Sequence, residues 1–286
     1  MGFGASGKTA VFAALSGAEA AAGKGALATV RVPDARIDKL SEMWSPRKTT
    51  YAEIVFQDFA SGSFGAGTIS ANVLGEMRTL DVLAEVVDAF SSGTAESTRA
   101  AEAFHAELVL GDLAMVEKRL ERLTREKGKP GEKELLDRCR ATLEGDRELR
   151  QIDFTDAELE TLSGFRFLTL KPRIVVANVA EQDVANTCDD LGRSLARWAL
   201  DVVVMCAPLE HELIKLAPEE RRAFLADFGL ESGARERFIA ACYRMLDLIT
   251  FLTAGDDEVR AWPIRRGTSA VGAAHKEPWF NLILSN

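Results

Sequence analysis

A chain of 286 residues can hold one large domain or two to three small ones. With 47% hydrophobic and 28% charged residues it has the balance of a soluble globular protein, and its net charge of -9 argues against a generally basic nucleic-acid binder and against DNA as a partner. Four scattered cysteines (Cys139, Cys188, Cys206, Cys242) and three separated histidines (His105, His211, His275) exclude a disulfide framework and a histidine-based metal or nucleophile site; no apolar run is long enough to span a membrane, so the expected setting is cytoplasmic.

The first stretch, Gly2-Phe3-Gly4-Ala5-Ser6-Gly7-Lys8-Thr9, fits the phosphate-binding pattern G-x-x-x-x-G-K-[S/T]. Glycines permit backbone angles that let several N–H groups turn toward one phosphate. Lys8 would reach the β- and γ-phosphates, and the Thr9 hydroxyl would take one position on Mg2+. A helix carrying Val11, Phe12, Ala14 and Leu15 follows, its positive end facing the same anion. The first residues also match a myristoylation pattern, a reading set aside because the phosphate loop uses the same glycine better. Such a loop normally follows a buried strand; only Met1 precedes it here, so a start lying upstream, or a trimmed chain, is expected.

The Ala/Gly-rich segment Gly17 to Gly25 reads as a loop, and Thr29-Val30-Arg31-Val32 as a short strand. Pro33-Asp34 leads into an amphipathic helix with Ile37, Leu40 and Met43, ended by Trp44-Ser45-Pro46. A strand is expected over Thr50 to Gln57, ending on Asp58, then a glycine-rich loop from Ser61 to Gly67 and a strand from Val82 to Phe90. Leu113, Val116, Leu120 and Leu123 form an a/d stripe; Gly128-Lys129-Pro130-Gly131 breaks it, and Leu136, Cys139 and Leu143 repeat it. This pattern predicts an antiparallel helical hairpin whose charged flanks are either solvated or a docking surface. Thr155-Asp156-Ala157-Glu158 is a capping box. Arg173 to Asn178 and Asp201 to Cys206 are β-branched runs, as expected of parallel strands buried on both faces, joined by a helix with Leu191, Leu195 and Trp198. Ala217-Pro218-Glu219-Glu220 opens a helix, and another carries Phe238, Cys242, Met245 and Leu246. Leu248 to Phe251 and Val259 to Ile264 read as two strands joined by Ala254 to Asp257, with a last helical piece from Thr268.

The chemistry concentrates at three further places. Asp58, at the end of its strand, is placed to hold Mg2+ opposite Thr9. Asn178-Val179-Ala180-Glu181 stands where guanine-binding proteins have Asn-Lys-x-Asp; Val179 replaces the lysine and Glu181 the aspartate that reads the guanine edge. Cys206-Ala207-Pro208 stands where a Ser-Ala-Lys loop supports the base. The nucleotide-binding set is therefore Gly2, Gly4, Ala5, Ser6, Gly7, Lys8, Thr9, Asn178, Val179, Glu181, Cys206, Ala207 and Pro208, with Lys8 and Asp58 as catalytic candidates and Thr9 and Asp58 on the metal.

These stretches, together with Val32 to Leu40, Phe56-Gln57-Asp58-Phe59-Ala60, Glu107 to Leu123, Lys171 to Glu181 and Leu248 to Gly267, make the chain resemble the YchF, or Obg-like ATPase, branch of the translation-factor GTPases. The resemblance implies an α/β phosphate-loop G domain with a mainly parallel sheet (1–100 and 166–246), an inserted coiled-coil hairpin (101–165) and a partial C-terminal TGS region (247–286). It also implies ATP accepted in preference to GTP, Mg2+ as cofactor, and the ribosome or its RNA as partner. The chain departs from the family's pattern in three ways. Ser61 replaces the glycine of Asp-x-Ala-Gly, no switch threonine occurs between Glu19 and Ala26, and the TGS resemblance fades after Ala274. Two functions stay open: a slow ATPase or GTPase regulating translation, and a catalytically degenerate nucleotide-binding or interaction module.

Overall fold

The computed structural model describes residues 1–3, 6–17, 26–59, 64, 68–126, 128–184 and 188–274. Among the described residues the helices are α1 (Lys8–Ser16), α2 (Ala35–Trp44), α3 (Ala71–Met77), α4 (Thr94–Leu123), α5 (Glu132–Glu144), α6 (Asp156–Leu162), α7 (Cys188–Leu195), α8 (Ala207–Lys215), α9 (Pro218–Asp227), α10 (Ala234–Met245) and α11 (Ala270–Ala274). The strands are β1 (Leu27–Arg31), β2 (Lys48–Thr50), β3 (Glu53–Gln57), β4 (Leu83–Ala89), β5 (Arg173–Val179), β6 (Asp201–Met205), β7 (Leu248–Ala254) and β8 (Glu258–Arg265). They belong to two units, one of Met1–Ala26 and Gln57–Arg235, the other of Leu27–Phe56 and Glu236–Asn286.

The first unit is built on a parallel sheet in the order β4-β5-β6. Leu83 stands opposite Arg173 and Ala89 opposite Val179; Ile174 stands opposite Asp201 and Asn178 opposite Met205. Ile174, Val175, Val176 and Ala177 are each 0% exposed, so the central strand is covered on both faces, which explains its uninterrupted apolar run. Leu191 and Leu195 of α7, Leu209 and Leu213 of α8, and Ala101 of α4 pack against the sheet. The outer edge of β4 receives the first residue of the chain: the Val86 N–H donates to the Met1 carbonyl at 2.8 Å.

Helix α4 runs for 30 residues, about 45 Å at ~1.5 Å per residue. Phe104 and Leu108 in its first half pack beside Leu83. Val116 and Leu120 in its second half meet Leu135, Leu136, Cys139 and Leu143 of α5, which forms the hairpin that the two leucine stripes predict. Gly131, at φ +76°, turns the chain into α5. Glu132 closes the turn by accepting from Arg119 Nε at 2.7 Å and Nη2 at 3.0 Å and from the Lys129 N–H at 2.9 Å. Between the two halves of α4 lies Asp112, 0% exposed. It pairs with Arg78 at 2.6 Å and accepts from the Leu168 and Thr169 N–H groups and the Thr169 hydroxyl at 3.1, 2.7 and 2.7 Å. The capping box at Thr155 and Glu158 starts α6 as the sequence predicts.

In the second unit β7 and β8 form an antiparallel hairpin, Leu248 opposite Arg265 and Ala254 opposite Val259. Its third strand comes from far away in sequence: β2 runs parallel to β8, with Lys48 opposite Glu258 and Thr50 opposite Arg260. The strand expected over Thr50 to Gln57 is thus split, because the Ala52 carbonyl turns to accept from the Val32 N–H at 2.8 Å. Val30, Val32, Ile37, Ala52, Ile239, Val259 and Ala261 make the core of this unit. Asp34 caps α2 by accepting from the Arg36 N–H at 3.0 Å, and Ser45 ends it at φ 42°. Met43, read from the sequence as part of the apolar face, is 70% exposed.

Candidate functional site

The phosphate-loop residues sit between the tip of β5 and the outer edge of β4. Two glycines are demanded by contact. Gly2 has φ +142°, and a Cβ there would lie 2.3 Å from the Val86 carbonyl oxygen; Gly7 has φ +80°, and a Cβ there would lie 2.4 Å from Asn178 Nδ2. Gly7 is the N-cap of α1 and supplies no side-chain cap, so the first N–H groups of the helix carry no side-chain partner at the cap. Ser6 is 4% exposed and its Oγ has no hydrogen-bond partner. A buried hydroxyl without a partner beside a helix N-terminus is a donor waiting for an anion. Gly4 and Ala5 lie outside the described residues.

Lys8 is 8% exposed. Its Nζ donates to the Phe3 carbonyl at 2.9 Å and stands 5.8 Å above the centre of the Phe64 ring. Burial pulls its pKa below the ordinary lysine value, and the nearby Asp58 carboxylate opposes that shift. The ammonium is therefore held by weak partners, which a phosphate oxygen would outcompete. The Thr9 hydroxyl donates to Asp58 Oδ2 at 3.5 Å, and Asp58 is itself fixed by its N–H, which donates to the Ala26 carbonyl at 2.8 Å. Thr9 and Asp58, 49 positions apart, are brought together by this contact.

Among the described residues no group of three or more His, Cys, Asp or Glu side chains could hold a metal. One hydroxyl and one carboxylate do not make a protein cage for calcium or a transition metal. They do suit Mg2+, which is typically bound through one or two carboxylates and completed by substrate phosphates and water.

Asn178 joins two loops. Its Nδ2 donates to the Ser6 carbonyl at 3.5 Å, and its Oδ1 accepts from the Ala207 N–H at 3.3 Å. One side chain at the end of β5 thus ties the phosphate loop to the start of α8. Cys206 caps α8, Pro208 occupies its first turn, and Ala207 is 1% exposed. Burial pushes the Cys206 thiol pKa up; the Leu209 N–H opposes this, and the charges of Glu181 and Glu210 add to it. Glu181 is exposed, at the start of a short 3-10 turn that follows β5. Val179 is different: its side chain is 0% exposed and packs in the core with Val175, Ala177 and Leu191. It leaves only its backbone for the site.

An aromatic cluster beside the loop went unread in the sequence. Phe3 meets Phe104 edge-on at 6.0 Å, Phe64 meets Phe59 at 6.0 Å and Phe104 at 6.4 Å. The signal available was Phe3 within the loop pattern and Phe64 within the glycine-rich loop, neither of which the phosphate chemistry requires. Ser61 and the segment that would carry a switch threonine, 18–25, lie outside the described residues. No helix among the described residues is long and apolar enough to cross a membrane.

No family model matches the chain. It is 33% identical over 261 residues to the ribosome-binding ATPase YchF of Bacillus subtilis, an alignment that covers 84% of this chain and 71% of that protein. It is 34% identical over 263 residues to the protein of the same name from Haemophilus ducreyi, covering 86% and 72%, and 33% identical over 265 residues to that of Escherichia coli O157:H7, covering 86% and 73%. Among solved structures, the YchF GTPase of Schizosaccharomyces pombe superposes with a TM-score of 0.82 at 25% identity, over 96% of this chain and 82% of that one. A GTP-binding protein from Pyrococcus horikoshii OT3 superposes with a TM-score of 0.50 at 15% identity, a likeness of fold alone.

Proposed function

The chain belongs to the YchF family of nucleotide-binding phosphate-loop proteins, and on that premise we propose that it binds a purine nucleoside triphosphate with Mg2+, hydrolyses it slowly, and acts through this cycle on the ribosome. The observation that carries the reading is the meeting of Thr9 with Asp58 beside a buried Lys8. In the proposed complex the Ser6 hydroxyl and the N–H groups at the start of α1 donate to phosphate oxygens. Lys8 leaves the Phe3 carbonyl for the β- and γ-phosphates and offsets their charge. Thr9 and Asp58 would hold Mg2+, which when bound neutralises charge on the transferring phosphoryl group. Asn178 keeps the Ser6 carbonyl and the Ala207 N–H in fixed relation, so that the loops meeting phosphate and base move as one. ATP is the preferred nucleotide: Glu181, longer than aspartate, stands where guanine would be read, and the buried Val179 offers no cation to cover the base. Residues 247–286 belong to a partial TGS region. The ribosome is the proposed partner, a reading supported by the relatives, which are ribosome-binding ATPases.

A second reading rests on Lys8 being engaged with the Phe3 carbonyl and the Phe64 ring, and on Ser61 in place of glycine. On this reading nucleotide binds and switches the protein with negligible turnover. Titration of ATP and GTP with Mg2+, followed by steady-state turnover of wild type and Lys8→Ala, separates the two. Faster turnover than Lys8→Ala supports the ATPase. Tight binding with turnover equal to that of Lys8→Ala leaves the binding module. Absence of binding by either nucleotide removes both.

A further inference from the structure

We propose that Glu85, Arg173 and Glu148 form a proton-operated latch between strand β4, which carries the base of the phosphate loop, and the foot of the helical hairpin: ionised Glu85 shares Arg173 with Glu148, and protonated Glu85 leaves Arg173 to Glu148 alone. The members are deeply buried, with Glu85 and Arg173 each 1% exposed and Glu148 2% exposed. Arg173 opens β5 and Glu85 lies on β4, where Leu83 stands opposite Arg173 and Glu85 opposite Val175, so the two side chains share one face of the sheet two positions apart. Arg173 Nη1 is 3.9 Å from Glu85 Oε2 and Arg173 Nη2 is 3.6 Å from Glu148 Oε1. Both are ion-pair separations and longer than hydrogen bonds. Glu85 Oε2, Arg173 Nε and Arg173 Nη1 have no hydrogen-bond partner at all. Arg173 Nη2 also donates to the buried Trp198 carbonyl. About that anchor the guanidinium stands between two carboxylates without closing on either through Nε or Nη1, a position from which small rotations complete one contact at the expense of the other.

Among the described residues, four titratable groups face Glu85. Arg173 comes from β5, Glu148 from the segment after α5, His105 from α4, and the Met1 amino group from the chain start. Around Glu148 stand Arg150, bonded through its Nε, and His105, whose Nδ1 is 3.1 Å from Glu148 Oε1. On its other side His105 Nε2 is 3.2 Å from the Asp146 carbonyl and 3.2 Å from its carboxylate. Arg173, Arg150 and Glu148 together leave one positive charge, which ionised Glu85 offsets, and the buried Met1 amino group adds a second whenever it is protonated. Burial raises the Glu85 pKa from an ordinary 4.5 to about 7, with Arg173 opposing the rise, so the exchange of partners falls at neutral pH. The consequence is local. Glu148 lies just before the short turn Leu149–Gln151, so the grip of Arg173 on Glu148 sets how firmly the returning hairpin is held to the sheet. On β4 the neighbouring Val86 contacts both Met1 and Gly2.

Hydrogen exchange of the full chain at about pH 6 and about pH 8.5, corrected for the intrinsic pH dependence of exchange, tests the latch. Wild type is expected to exchange at least about threefold faster over residues 146–152 at the higher pH. Glu85→Gln is expected to show the slow rate at both values, and His105→Asn to keep the wild-type pH dependence. A wild type without pH dependence, a Glu85→Gln variant that keeps it, or a His105→Asn variant that loses it would each overturn the proposal. Carboxyl 13C titration of wild type gives a readout independent of any variant: a glutamate resonance titrating near neutrality is expected, and glutamates that all titrate below about pH 5.5 would overturn it.

Discussion

The amide of Asn178 fills the space that a side chain on Gly7 would need, with Nδ2 only 2.4 Å from where a Cβ would stand. The same amide bonds to the Ser6 carbonyl and to the Ala207 N–H. Asn178→Ala is expected to weaken ATP binding by roughly tenfold, the loss of about one net hydrogen bond's worth of organisation, ~1.4 kcal/mol. Gly7→Ala is expected to weaken it further, since it adds left-handed strain to the clash. Isothermal titration of both variants with ATP and Mg2+ checks the order; an Asn178→Ala protein with wild-type affinity would remove Asn178 as the brace.

Removal of Mg2+ gives the second test. Excess chelator is expected to lower the ATP affinity of the wild type by about tenfold or more, on the usual role of the cation in bridging phosphate oxygens. Thr9→Ala and Asp58→Ala are expected to bind ATP weakly with or without chelator, because the oxygens that would hold the cation are gone. Equal chelator sensitivity in all three proteins would contradict the assignment of Thr9 and Asp58.

Asp112 offers a stability test. It is fully buried, paired with Arg78, and satisfies three donors of Leu168 and Thr169. Asp112→Ala leaves a guanidinium and two backbone N–H groups without their partner, and is expected to destabilise the first unit by about 3–5 kcal/mol. Asp112→Asn keeps the shape and one acceptor and is expected to lose less. Urea unfolding followed by far-UV circular dichroism ranks the three proteins.

The raised pKa of Glu85 predicts a dependence of stability on pH. Burial is the dominant cause and favours the neutral carboxyl in the native state. Between the ordinary value of 4.5 and about 7 the folded protein binds more protons than the unfolded chain. This contribution is therefore fully present below pH 4.5, falls as pH rises through that window, and is lost above about 7. The fall is on the order of 3 kcal/mol as an upper figure, since Arg173 supplies part of the compensation. Glu85→Gln is expected to remove this slope and to melt above wild type at about pH 8.5. Thermal melts of the two proteins from about pH 5 to pH 9 decide it.

The parts of the fold that were legible in the sequence had local causes. The β-branched runs of β5 and β6, the two leucine stripes of α4 and α5, the Thr155 capping box and the Gly-Lys-Thr turn all specify themselves within about ten residues. Thr9 and Asp58 stand in contact, and the sequence pairs them by the cation that both would hold. What stayed hidden depended on partners far away in sequence. Thr50 looks like the start of the strand that ends on Asp58, yet together with Lys48 and Thr49 it pairs with Glu258–Arg260, and no local pattern distinguishes the two fates. Val179 has the right position for a base contact, but alternation along β5 turns its side chain into the core. Nothing local marks Glu85 or Arg173 as buried charges, and only the register of β4 on β5 brings them together.

The parallel pairing of β2 with β8 also governs the order in which the second unit folds. Thr50 bonds to Glu258 across 208 positions of sequence, so the sheet of the second unit cannot close until both ends of that span have been synthesised. Residues 27–56 emerge early; β1 and β3 pair with each other, but β2 has no strand to join until β8 follows. At ~5–20 residues per second that interval is on the order of ten seconds or more, during which β2 presents an unpaired edge. The second unit is thus a late-closing structure whose first third is available to chaperones or to other chains for the length of that wait.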